Sequence, residues 1–122
     1  MTDELIGVEI EERDDEIVVA RLSGELDISV AERTGRRIAD GVPSSARGVV
    51  VDTSGLEFMD SSGVSMLFSL ARQVASHRQE LRVVAPEGRP VARVLQIVEF
   101  DRAAPVHADV DSALGEMATR RA

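Results

Sequence analysis

The chain has 122 residues, 43% hydrophobic and 30% charged, the composition of one folded domain with room for a core and not of a disordered segment. Its net charge of −8, with three Phe and no Trp or Tyr, disfavours nucleic acids and anionic membranes, since phosphate repels it and base-stacking platforms are missing. There is no cysteine, and every Lys/Arg position is Arg, which removes disulfides, thiolate chemistry, Walker-type phosphate loops and Schiff bases.

Ile6 to Ile10 and Ile17 to Leu22 alternate in hydropathy around a charged turn, Glu12-Arg13-Asp14-Asp15-Glu16, and read as a β-hairpin. Gly24 is expected to break the second strand, and Asp27 to precede a helix. Ser29-Val30-Ala31-Glu32 has the form of a capping box. Ile28, Ala31, Gly35, Ile38 and Val42 then recur at helical spacing as one buried stripe, ended by Gly41 and Pro43. Gly48 to Asp52 is apolar on both faces, as a central strand requires. After Phe58-Met59-Asp60-Ser61-Ser62-Gly63, a second helix carries Val64, Leu67, Phe68, Ala71 and Val74 and runs to about Ser76.

Leu81 to Ala85 reads as another strand, and Pro90 opens a helix with the stripe Val91, Val94, Leu95 and Val98. Ala104 to His107 is a weak edge strand containing a proline. The last helix carries Val110, Ala113, Leu114 and Met117, with Asp109 and Asp111 at its start and Arg120 and Arg121 at its end, which complements the helix dipole. The order β-β-α-β-α-β-α-β-α predicts an α/β fold with a mixed, mostly parallel sheet that begins with a hairpin.

The serines beside Asp60 are the main candidate site. As a local pattern, Asp60 and Ser61 form an ordinary helix cap worth about 1 kcal/mol. Two features go beyond a cap. Gly63 costs helix propensity but leaves room for close approach by another backbone, and Met66 and Leu70 lie off the main apolar stripe. A serine nucleophile needs a base, and the histidines, His77 and His107, have no triad or ligand spacing and read as surface residues. The clustered carboxylates at Asp14-Asp15-Glu16 and at Asp109 and Asp111 match no calcium loop and read as solvated charge. A receiver domain phosphorylated on Asp52 would need a lysine near its last strand, which the chain lacks, and an acidic pair after its first strand to hold magnesium, where this chain leads into a hairpin instead.

Three blocks carry a resemblance to a known family: Leu22-Ser23-Gly24-Glu25-Leu26-Asp27, Val49-Val50-Val51-Asp52-Thr53-Ser54-Gly55-Leu56, and Phe58 to Gly63. With the tail Leu81 to Pro86 and Val94-Leu95, the chain resembles the anti-sigma factor antagonists of the STAS domain family. The likeness spans about residues 6 to 114, so the whole of 1–122 is expected to be one STAS domain. The resemblance implies the STAS fold and a non-enzymatic, cytoplasmic partner-switching protein without a cofactor or metal. The unphosphorylated form would bind an anti-sigma factor that is itself a serine kinase and so release a sigma factor. Phosphorylation would block binding, and a serine phosphatase would restore it. Carried over by position, the phosphoacceptor is Ser61, with Ser62 the rival, and the contact surface comprises Asp27, Asp60, Ser61, Ser62, Gly63 and Met66. The other reading is a STAS subunit of a lipid-transport or sensory assembly, in which Ser61 is only a cap. The acidic opening segment lacks the order of a signal peptide, and no uncharged run is long enough to span a bilayer, which accords with a soluble protein.

Overall fold

The computed structural model describes residues 6–13 and 16–119, with side chains to 117. The elements are β1 (Ile6–Glu12), β2 (Ile17–Leu26), α1 (Ala31–Asp40), β3 (Gly48–Met59), α2 (Ser61–Ser76), β4 (Glu80–Val84), α3 (Pro90–Ile97), a single 3-10 turn (Phe100–Arg102), β5 (Val106–His107) and α4 (Val110–Thr119). The five strands lie in the order β1-β2-β3-β4-β5, with β1 antiparallel to β2 and every later pair parallel. This is the expected α/β arrangement. Each β-α-β step moves one place in the same direction, so α1, α2 and α3 pack on one face of the sheet. The chain then turns back through α4, which covers Ile17, Val19, Val50 and Val84 on the other face with Ala113 and Met117.

Two strands are longer than their hydropathy suggests. Gly24 does not end β2: with φ 96° it sits among register shifts in the β2–β3 pairing, and the strand continues to Leu26. A bulge bends a strand without terminating it. β3 likewise runs past Asp52 to Met59, because Ser23 to Leu26 remain available as its pairing partners. These extensions bring the ends of β2 and β3 level, with Leu26 opposite Met59, and so place Asp27 and Asp60 at adjacent strand ends.

The first helix begins later than the capping-box pattern implies. Its N-cap residue is Val30, which makes no side-chain cap, and Ser29 instead donates to Asp27. The shift reverses the expected burial of Ile28, which is 79% exposed, whereas Val30 is 5% exposed. In α2, Val64, Leu67, Ala71 and Val74 are buried as expected, and Phe68 packs edge-to-face on Phe100 with centroids 4.8 Å apart. Pro90 is at the start of α3, where its missing N–H costs nothing. Val98 is at the end of that helix and is exposed.

Beneath α4, Arg82 of β4 is buried at 1% exposure among otherwise apolar strand residues. It bonds Glu116 and lies 3.7 Å from Glu80. Arg82 also donates to His107 Nε2 at 3.2 Å, and the other ring nitrogen faces Ser112 Oγ at 3.1 Å. Because arginine can only donate, Nε2 accepts and Nδ1 carries the hydrogen given to Ser112. His107 is therefore not the surface residue expected; its side chain is 8% exposed and orients a buried guanidinium. His77 is exposed and caps α2 against Gln73 O. Asp109 accepts from Ser112 N at the start of α4, and both Asp109 and Asp111 are exposed, as solvated charge is expected to be. Asp14, Asp15, Arg120 and Arg121 lie outside the described residues.

Candidate functional site

The parallel register that aligns Leu26 with Met59 is reinforced by a bond from Asp60 N to Leu26 O at 3.2 Å. Both strands then end in an Asp-x-Ser turn. At the end of β2, Asp27 Oδ1 accepts from Ser29 N at 3.0 Å and from Ser29 Oγ at 2.6 Å. The amides of Val30 and Ala31 also bond Asp27 O, at 3.1 and 2.9 Å. At the end of β3, Asp60 Oδ1 accepts from Ser62 N at 2.9 Å and from Gly63 N at 3.4 Å. Asp60 is thus the N-cap of α2, satisfying donors that the first turn would otherwise leave open.

Ser61 is the first helical residue and is exposed, and its hydroxyl makes no hydrogen bond among the described residues. Ser62 is half-buried, with its amide committed to Asp60. Asp27 and Asp60 are half-buried and hold turns with one carboxylate oxygen each.

Gly63 and Met66 lie behind this surface. A Cβ on Gly63 would stand 2.5 Å from Met59 Cγ and 3.0 Å from Leu26 Cδ2, so the close approach that the glycine permits is that of α2 to the two strand ends. Met66 is 7% exposed and packs on Gly35 of α1, where an added Cβ would meet Met66 Cγ at 2.7 Å. Leu70 is 2% exposed, which places the apolar excess of α2 in the core. The structure therefore brings Asp27, Asp60, Ser61 and Ser62 together at one end of the sheet, and keeps Gly63 and Met66 as their support.

The sequence reading missed Ile28 as a surface residue. A groove of about 620 Å³ runs between α1 and α2, and Ile28, Ser61, Ser62 and Ser65 line it together with Gly35 and Met66. The Asp27-x-Ser29 spacing, repeated at Asp60-x-Ser62, is the signal that marks Ile28 as a turn residue outside the helix. Asp52-x-Ser54 repeats the spacing within β3, with Asp52 Oδ1 accepting from Ser54 N and Oγ. Among the described residues no group of three or more His, Cys, Asp or Glu is placed to hold a metal ion, and no helix is long and apolar enough to cross a membrane.

Solved structures place this geometry in context. An anti-sigma factor antagonist from Mycobacterium paratuberculosis is 26% identical, matching 91% of this chain and 92% of its own with a TM-score of 0.80. The Bacillus cell fate determinant SpoIIAA in its phosphorylated form is 25% identical, matching 91% of this chain and 99% of its own at a TM-score of 0.63. The anti-sigma factor antagonist SpoIIAA in its unphosphorylated form, 24% identical over 95% of this chain and 100% of its own, shares the fold at a TM-score of 0.64. The STAS domain matches residues 8–113, nearly the whole of the described fold including both turns, and the chain belongs to the STAS domain family.

Proposed function

We propose that this chain is an anti-sigma factor antagonist switched by phosphorylation of Ser61. The observation that carries the reading is the free, exposed Ser61 hydroxyl beside a half-buried Ser62. The likeness to the mycobacterial antagonist and to SpoIIAA, a protein that exists in a phosphorylated form, supports the same role. In the unphosphorylated state the chain binds an anti-sigma factor with serine kinase activity through the surface around Asp27, Asp60 and Ser61. That kinase transfers the γ-phosphoryl of ATP to Ser61: the Oγ–P bond forms, the bond between the γ-phosphorus and the bridging β–γ oxygen breaks, and ADP and the hydroxyl proton leave. A serine phosphatase hydrolyses the ester and restores binding.

The electrostatics favour a local switch. Phosphoserine carries about −1.5 to −2 charges at neutral pH. The start of α2 offers a favourable dipole, but the Ser62 and Gly63 amides already serve Asp60 Oδ1. The dianion therefore stays outward, next to a carboxylate on a chain of net charge −8, where a docking partner must bury it. Weakening the complex a thousandfold requires about 4 kcal/mol, which an unpaired buried dianion supplies. The fold itself stays unchanged.

The test is labelling by the cognate kinase with ATP, read by mass spectrometry on the wild type, Ser61→Ala and Ser62→Ala. Labelling is expected on the wild type and Ser62→Ala and not on Ser61→Ala. Loss only in Ser62→Ala reassigns the acceptor. A pull-down from the source cell that returns transporter or sensory-assembly subunits and no kinase would favour a structural STAS subunit instead.

A further inference from the structure

We infer that Ile28 is the apolar anchor on which the anti-sigma factor seats, and that Asp27 is a positioning residue that acts by holding the turn presenting it; this rests on the partner proposed above. An isolated exposed apolar residue is ordinary on a protein surface, and Ile97 on α3, 71% exposed, is one such. Ile28 differs in three respects.

First, it is pinned. Four hydrogen bonds close the turn around it, two from the Val30 and Ala31 amides to Asp27 O and two from Ser29 to Asp27 Oδ1. Its β-branched side chain is stiff at χ1. A residue already ordered loses little freedom on docking, which is what a binding anchor requires. Second, it lines the same groove as Ser61. An enzyme that phosphorylates Ser61 covers the mouth of that groove, so Ile28 falls within its footprint. Third, its surroundings are acidic on balance: Asp27 and Asp60 stand at the adjacent strand ends, and the groove is lined by Glu32 and Asp40 against one cation, Arg36, which pairs with Glu32 at 3.4 Å. A second copy of a chain at −8 would set like charges against each other at this spot. An apolar socket on the anti-sigma factor whose basic groups face Asp27 and Glu32, and not Ser61, complements it in both respects and still leaves a phosphate on Ser61 unpaired.

The experiment measures the Kd of the full chain for the purified kinase that labels Ser61, by titration calorimetry without ATP. Folding of each variant is checked by thermal melting. Ile28→Ser is expected to weaken binding roughly 10- to 100-fold, the usual range for losing a buried aliphatic anchor. The matched control Ile97→Ser is expected to leave Kd unchanged. Asp27→Asn keeps an oxygen acceptor for both Ser29 donors and should bind within about threefold of wild type, whereas Asp27→Ala frees the turn and should bind roughly tenfold more weakly. If Ile28→Ser binds as wild type, or Ile97→Ser weakens binding equally, the anchor is refuted. If Asp27→Asn loses as much as Asp27→Ala, the partner reads the charge itself and the positioning role fails. A dimer of the chain alone that Ile28→Ser abolishes would make a second copy the occupant and overturn the proposal. Absence of any kinase that labels or binds the wild type would instead overturn the function proposed above, so the two failures are separable.

Discussion

The turns that end β2 and β3 are built on the same four-residue scheme and used differently. In each, an aspartate Oδ1 takes the amide of the residue two on, the middle residue is thrown outward, and the third residue after the aspartate points into the core. At the first turn these places hold Ile28 outside and Val30 inside; at the second, Ser61 outside and Gly63 inside. The helices respond to what is buried. Gly63 lets α2 begin directly against Leu26 and Met59, while α1 starts only after a further turn, without a side-chain cap. A common turn therefore displays an apolar side chain at one strand end and a hydroxyl at the next.

The comparison breaks most sharply if the second turn is made to resemble the first. Gly63→Val places a branched side chain where even a Cβ lies 2.5 Å from Met59. The expected destabilisation is about 2 to 3 kcal/mol in urea unfolding, the usual cost of overpacking. Unchanged stability would mean that α2 can back away from the strand ends and that the glycine is dispensable. A smaller effect separates the two aspartates. Asp60→Ala removes a helix N-cap and should cost about 1 kcal/mol, whereas Asp27→Ala loosens a turn that caps no helix and should cost about half as much. Equal losses in parallel denaturant titrations would erase the distinction between cap and turn.

The smallest expected effect lies away from both turns, at the hairpin, and serves as their control. The Arg21 side chain, hydrogen-bonded to Glu11 at 2.7 Å across β1 and β2, holds the Glu11 carboxyl below its ordinary value of 4.5, with the charges of Arg21 and Arg13 adding to it against desolvation. A depressed carboxyl contributes stability that is fully present above its unfolded pKa and is lost as pH falls through the folded value. The difference in Tm between wild type and Glu11→Gln should therefore shrink on acidifying below about pH 4.5 and also in high salt, since the pair is exposed. Binding to the proposed kinase partner should not change. A Tm difference that grew with acid would reverse the assigned sign.

Much of the architecture was legible because hydropathy period is a local property. Val49, Val50 and Val51 announce a central strand, Val64, Leu67, Ala71 and Val74 a helix, and Pro90 a helix start, and each is where its pattern places it. Ser61 was legible as a cap-region serine for the same reason. Ile28 was not, because it fits the period of α1 by spacing, whereas in the structure it lies in the turn that Ser29, Val30 and Ala31 close on Asp27, ahead of that helix. Arg82 and His107 were also opaque. A single arginine in a short strand gives no sign of which face it takes, and its acceptor, Glu116, lies 34 positions away.

By itself the sequence determined the order of elements, the mixed sheet begun by a hairpin, and an Asp-Ser cap at the head of the second helix, since periodicity, turn chemistry and charge act over a few neighbouring residues. That Asp60 alone caps, and that the Ser61 hydroxyl is left without a partner among the described residues, came from the structure. Tertiary structure alone decided which of the site's residues face outward. The parallel register of Leu26 with Met59 sets the two turns side by side, and the contact of Gly63 with both draws α2 inward. Burial at a strand end depends on what the next strand and helix bring to it, and those partners are distant in the chain. Ser61 and Ile28 are therefore left in solvent, while Gly63 and Met66 are enclosed.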